Sequence, residues 1–107
     1  MGISTMDNIL TMTPSAGEPI FEVFLADDAT YSFTDKSAGF ASIQLGDTNN
    51  YRAIFWRDTS GNIVMLDFGG DAYVKKTDTN GYLCIYKSGT QVIIKNRTGS
   101  DQTLKFF

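Results

Sequence analysis

The chain has no histidine, and that absence removes every mechanism built on an imidazole base, a Ser-His-Asp or Cys-His pair, or a histidine metal ligand. It has one cysteine, Cys84, which can close no internal disulfide and cannot by itself build a thiolate zinc site. With no base to activate it, Cys84 reads as a small buried apolar residue. No apolar run is long enough to span a bilayer, and the opening Met1-Gly2-Ile3-Ser4-Thr5-Met6 lacks the basic start and apolar core of a secretory signal. A soluble chain outside membranes is the expectation. Cations are also scarce: 9 Lys plus Arg face 12 Asp plus Glu, for a net charge of -3, the wrong sign for neutralising phosphates. Nucleic acid is not an expected partner.

What is present is enough apolar material for one core. In 107 residues, 42% are hydrophobic and 13% aromatic, a composition that excludes bulk disorder and leaves room for one domain. Residues 1–19 stand apart. Ile3, Met6, Ile9, Leu10 and Met12 are scattered among Ser, Thr, Asp and Asn, and the stretch closes on Pro14, Gly17 and Pro19. It reads as an extended arm whose apolar side chains need a surface to lie against.

From Ile20 the period is two. Ala29, Tyr31 and Phe33 alternate with Thr30, Ser32 and Thr34, as on a half-buried strand. The same reasoning marks strands at residues 20–25, 40–45, 51–57, 62–68, 72–76, 82–87, 91–96 and 102–107, separated by turns rich in Gly, Asn and Asp. Asn80-Gly81 is the best hairpin signal, because a type I′ turn needs positive φ at both central residues. Residues 20–107 therefore predict an antiparallel β-sandwich of jelly-roll type, an all-β fold. Its core would draw on Phe21, Val23, Tyr31, Phe33, Ile43, Leu45, Phe55, Ile63, Met65, Val74, Leu83, Ile85, Val92, Ile94 and Leu104.

Chemistry is thin. Ten Asp and two Glu supply the only obvious acid or base groups, and nearly all the Asp fall in turns, where hydrogen bonds to backbone N–H groups account for them. Asp27, Asp28, Asp47, Asn49, Asn50 and Asp71 could offer oxygens to calcium, yet no spaced calcium-loop motif is present. Solvated turns are the simpler reading. Asn96-Arg97-Thr98 matches an N-glycosylation pattern, and without a secretory signal the match reads as chance. No catalytic residue, metal site or cofactor is expected. In Tyr51-Arg52-Ala53-Ile54-Phe55-Trp56-Arg57, alternation sends Tyr51, Ala53 and Phe55 one way and Arg52, Ile54 and Trp56 the other. Such a strand, apolar on both faces, is central and covered, or else lends one side to a subunit interface. One small domain cannot bury that surplus alone. It predicts a homotrimer, with Tyr51, Ile54, Trp56, Phe106 and Phe107 as interface candidates.

Three stretches carry a resemblance: Phe24-Leu25-Ala26-Asp27-Asp28-Ala29-Thr30-Tyr31-Ser32-Phe33, then Gly39-Phe40-Ala41-Ser42-Ile43, and the ending from Ile93 through Asn96-Arg97-Thr98-Gly99-Ser100 to Phe106. Bracketing residues 24–106, they resemble small virion structural proteins of tailed bacteriophages. The resemblance implies a trimeric decoration or cement protein on the virion surface, made in the host cytoplasm, with the major capsid protein and itself as partners. It also implies an alternative, a tail- or head-fibre tip that recognises host surface glycan. It carries over no catalytic residue. Ile3, Met6, Ile9, Leu10 and Met12 would then be the capsid-binding contacts of the arm.

Overall fold

The computed structural model describes residues 18–33 and 38–107, so the arm residues Ile3, Met6, Ile9, Leu10 and Met12 lie outside the described residues. Among these described residues nine strands follow in order: β1 (Phe21–Leu25), β2 (Thr30–Ser32), β3 (Gly39–Leu45), β4 (Arg52–Arg57), β5 (Ile63–Phe68), β6 (Val74–Lys75), β7 (Leu83–Ser88), β8 (Gln91–Asn96) and β9 (Gln102–Phe106). They form a five-stranded sheet in the order β1-β9-β3-β4-β5 and a four-stranded sheet in the order β2-β8-β7-β6. Among the described residues there is no helix. The fold is all-β and sandwich-like.

Alternation builds the core between the sheets. On β3, Ala41, Ile43 and Leu45 point inward; β4 adds Ala53 and Phe55, and β9 adds Leu104. From the other sheet come Val74, Leu83, Ile85, Val92 and Ile94. Fully burying a side chain of this size stabilises by about 1.5–3 kcal/mol, so these residues carry most of the fold. Tyr31, Phe33, Ile63 and Met65 are half-buried against this cluster. Phe21 departs from its expected core place. Its ring touches Tyr31 and Phe106, but β1 is an edge strand among the described residues and leaves it 47% exposed.

Two antiparallel pairs join strands far apart in the sequence, β1·β9 and β2·β8. After those, β3, β4 and β5 run on as a meander in one sheet. The β7–β8 connection is a two-residue hairpin closed by the Ser88↔Gln91 pair, with positive φ at Gly89 and not at Thr90. That is the type II′ pattern, whose first central residue is glycine because a side chain there is strained.

The expected Asn80-Gly81 hairpin does not form, because β6 and β7 run parallel. Residues 76–82 cross the outer face of the four-stranded sheet instead of turning back within it. Side-chain contacts pin them there. The Thr79 N–H donates to Cys84 Sγ at 3.2 Å, and Asp78 pairs with Lys95 and Arg97 at 3.1 and 2.6 Å. The crossing segment covers Cys84 completely and leaves β6 only two residues long.

Candidate functional site: the outer face of the five-stranded sheet

The inward residues of β3 and β4 require that Phe40, Ile54 and Trp56 point out, and no second layer of the described chain covers that side. Register then groups them. Phe40 pairs with Trp56 across β3 and β4, and Trp56 pairs with Val64 across β4 and β5. The Phe40 and Trp56 rings meet edge-on with centroids 5.0 Å apart, the T-shaped geometry aromatic pairs prefer. Exposure is high for side chains of this kind: 72% for Phe40, 57% for Val64 and 51% for Leu66. Ile54 lies in the next row, opposite Ser42. Phe107 follows in that row, its N–H donating to the Ser42 carbonyl, and Ile20 lies beyond it, its N–H donating to the Phe106 carbonyl.

A β-bulge shapes the far edge of this face. Ile54 pairs with Asp67 but Phe55 pairs with Met65, which leaves Leu66 as the extra residue. Strict alternation from Ile63 and Met65 would turn Asp67 into the core. The bulge sends Asp67 out and Phe68 in, while Leu66 keeps the outward place that alternation already gives it.

The other half of the face is polar except for Phe24, which stands 67% exposed on β1 opposite Thr103. Lys105 reaches Asp47 at 2.8 Å and Arg52 reaches Asp67 at 3.4 Å, with Glu22 paired opposite Lys105 and Gln44 between Lys105 and Arg52. Hydrogen bonding from Lys105 holds the Asp47 carboxyl below its ordinary value. These exposed pairs add little to stability, but they mark where the apolar half ends.

The five interface candidates divide. Ile54, Trp56 and Phe107 belong to this outer face. Tyr51 and Phe106 sit on the inner side: Tyr51 packs edge-on against Tyr73 with centroids 5.7 Å apart, and Phe106 packs against Phe21, Tyr31 and Phe33. Phe40, Val64, Leu66 and Ile20 belong to the face and are absent from the sequence-derived set. Alternation from Ala41 and Ile43 signals Phe40 as outward, and Val64 follows from Ile63 and Met65 by the same count.

The remaining chemistry-bearing residues are occupied structurally. Burial pushes the Cys84 thiol above its ordinary value, which suits a packed side chain and not a nucleophile. Asp58 accepts from the N–H groups of Ser60 and Asn62, as turn carboxylates do, and Asp27 accepts from the Gly99 N–H of a distant loop. Asn96 is fully buried: its Nδ2 donates to the carbonyls of Leu25 and Ser100, and its Oδ1 accepts from the Thr98 N–H and hydroxyl. An amide enclosed in this way cannot accept a glycan in the folded chain. Arg97 Nε lies 2.9 Å from Asp28 Oδ1, close enough for an ion pair though poorly aligned as a hydrogen bond. Among the described residues no group of three acidic or sulfur side chains converges to hold a metal ion. Comparison of the chain with protein-family models, curated proteins and solved structures gave no match.

Proposed function

We propose that this chain is a non-enzymatic assembly protein of a bacteriophage virion, a trimeric decoration or cement protein that docks on the major capsid protein and stabilises the head. One observation carries the assembly part of this reading: the exposed apolar half-face around Phe40, Trp56, Val64 and Leu66, bordered by ion pairs, on a domain whose core is already filled. Large exposed patches with polar rims are typical of protein–protein contacts. The virion setting rests on the resemblance of residues 24–106. In this reading the domain is a jelly-roll-like body, residues 1–19 are an extended arm, and the arm's Ile3, Met6, Ile9, Leu10 and Met12 contact the capsid. Three arms on one trimer turn weak single contacts into tight attachment by raising the effective concentration. Selective binding to the mature lattice then stabilises it by mass action.

The test mixes the full-length chain with undecorated phage heads and reads co-sedimentation and the temperature at which the heads burst. Saturable binding with a raised bursting temperature is the expected result, and loss of binding on deletion of residues 2–13 assigns the anchor to the arm. Heads left bare overturn the proposal, and adsorption of the chain to host cells instead transfers the role to a fibre tip that reads surface glycan.

A further inference from the structure

Among the described residues β5 is an edge of the five-stranded sheet and β6 an edge of the four-stranded sheet, and near these two edges the surface holds a cavity of about 350 Å³. Met65, Phe68 and Val74 give it an apolar lining, and Asp71, Lys75 and Lys76 complete it. The bulge at Leu66 is what turns Phe68 inward beside Met65 and so shapes the lining. This site is separate from the outer sheet face, since Met65 and Phe68 point to the opposite side of β5 from Val64 and Leu66.

The charge beside the cavity is unusual for this chain. Lys95 and Lys105 are paired with carboxylates and Lys87 donates to Asn62, whereas Lys75 and Lys76 form no ion pair among the described residues. Lys75 instead holds its ammonium 5.0 Å from the centre of the Tyr82 ring. Two cations against Asp71 leave a net positive rim on a protein of net charge -3. The lining offers no amide or hydroxyl side chain to orient a sugar ring.

We propose that this cavity binds a small amphiphile, an apolar body on Met65, Phe68 and Val74 with a singly charged anionic head between Lys75 and Lys76. A volume near the lower end of ordinary ligand sites suits a medium-chain carboxylate. Methionine adapts its shape to an apolar guest, and lysine stems can lie along that guest while their ammonium groups stay in water.

The experiment labels the full-length chain at its methionine methyl groups with carbon-13 and follows the Met65 signal during titration with octanoate, 1-octanol and acetate. Octanoate is expected to shift the signal saturably, with the head-free alcohol and the body-free acetate each about tenfold weaker. Replacing both lysines (K75A with K76A) should weaken octanoate about fivefold, and Asp71→Asn should tighten it about twofold, since one removes attraction and the other repulsion. Because D71N changes affinity in the favourable direction, its result stands even if the double variant misfolds. An unmoved Met65 signal, octanol binding as tightly as octanoate, or a D71N variant with unchanged affinity would each overturn the proposal.

Discussion

At the residue scale, Asn96 shows how one polar side chain can hold a small all-β core together. Alternation along β8 sends Val92, Ile94 and Asn96 inward, so an amide closes a row otherwise made of hydrocarbon. It is tolerated because all of its hydrogen-bonding groups are used, two of them on the carbonyls of Leu25 and Ser100. Asn96→Ala removes a donor from the Leu25 and Ser100 carbonyls and the acceptor of the Thr98 N–H, and is expected to cost about 2–3 kcal/mol in urea denaturation. A loss below about 0.5 kcal/mol would mean that water replaces the amide at little cost. Charge acts at the same scale but at the surface. Asp47, Asp58 and Asp78 are held below the ordinary carboxylate value of 3.8, chiefly by hydrogen bonds from Lys105, Asn62 and Lys95. The unfolded chain therefore takes up protons first, so stability present above pH 3.8 is lost as pH falls through the lower folded values. Two groups limit the alkaline side. Burial raises Cys84 above 9.0 and the Asp47 hydrogen bond raises Lys105 above 10.5, so stability falls as pH climbs past those unfolded values. Stability measured against pH should show a plateau between about pH 4 and 9, and Cys84→Ala should flatten the first part of the alkaline decline.

At the element scale the decisive features are places where strict alternation is broken. Gly69 follows β5, donates its N–H to the Arg52 carbonyl and brings its Cα against the Asn50 backbone, where an added Cβ would overlap the Asn50 carbonyl oxygen. Gly69→Ala should cost about 3 kcal/mol, because backbone has to move. Gly39→Ala on β3 meets nothing within 4 Å and should stay within about 0.5 kcal/mol. Thermal melts of the pair that give equal losses would remove the close approach as the explanation. Period-two patterning made most strands legible: the expected runs at residues 40–45, 91–96 and 102–107 correspond to β3, β8 and β9. It also gave the inward sets on β3, β4 and β8, since one pattern encodes both strand and face. The parallel β6·β7 pair was not legible, because Asn80-Gly81 offers the same local turn chemistry whether the chain turns back in the sheet or crosses it. The choice was made by Asp78 and Thr79 meeting β7 and β8, and the Asp78 partners lie 17 and 19 residues away, beyond a local window. The bulge at Leu66 was hidden for a related reason: Ile63 to Phe68 reads as a continuous apolar run broken only by Asp67, and the partner strand decides which residue is extra. The apolar face was half legible. Trp56 and Ile54 stood out by parity, whereas grouping them with Phe40 and Val64 needed the strand order, and the placing of Met65 and Val74 at one cavity needed the two sheets together.

At the scale of the whole molecule, the question is what the outer face does in water. The core is complete without it, so replacing its residues should leave the monomer's fold intact and act on association alone. Association costs about 4–15 kcal/mol before any contact is counted, and one buried apolar side chain returns about 1.5–3 kcal/mol at most. Phe40 and Trp56 together return about 6 kcal/mol at most, too little to clear that cost by the margin a micromolar complex needs. The full row, with Val64, Leu66 and Ile54, has to be covered for a trimer to persist at micromolar concentration. In light scattering after gel filtration, the full-length chain should elute as a trimer, and Phe40→Asp or Trp56→Asp should each shift it to monomer, because a carboxylate inside such a contact must be desolvated without a partner. The melting temperature of the dissociated variants should be close to that of the wild-type chain diluted until it, too, is monomeric, since neither ring contributes to the core. Lys105→Ala, on the polar half of the same face, should leave the trimer in place and change mainly how association responds to salt. Were the wild-type chain monomeric at every concentration, the face would belong to a different partner. Were the F40D chain still trimeric, the contact would run through another surface altogether.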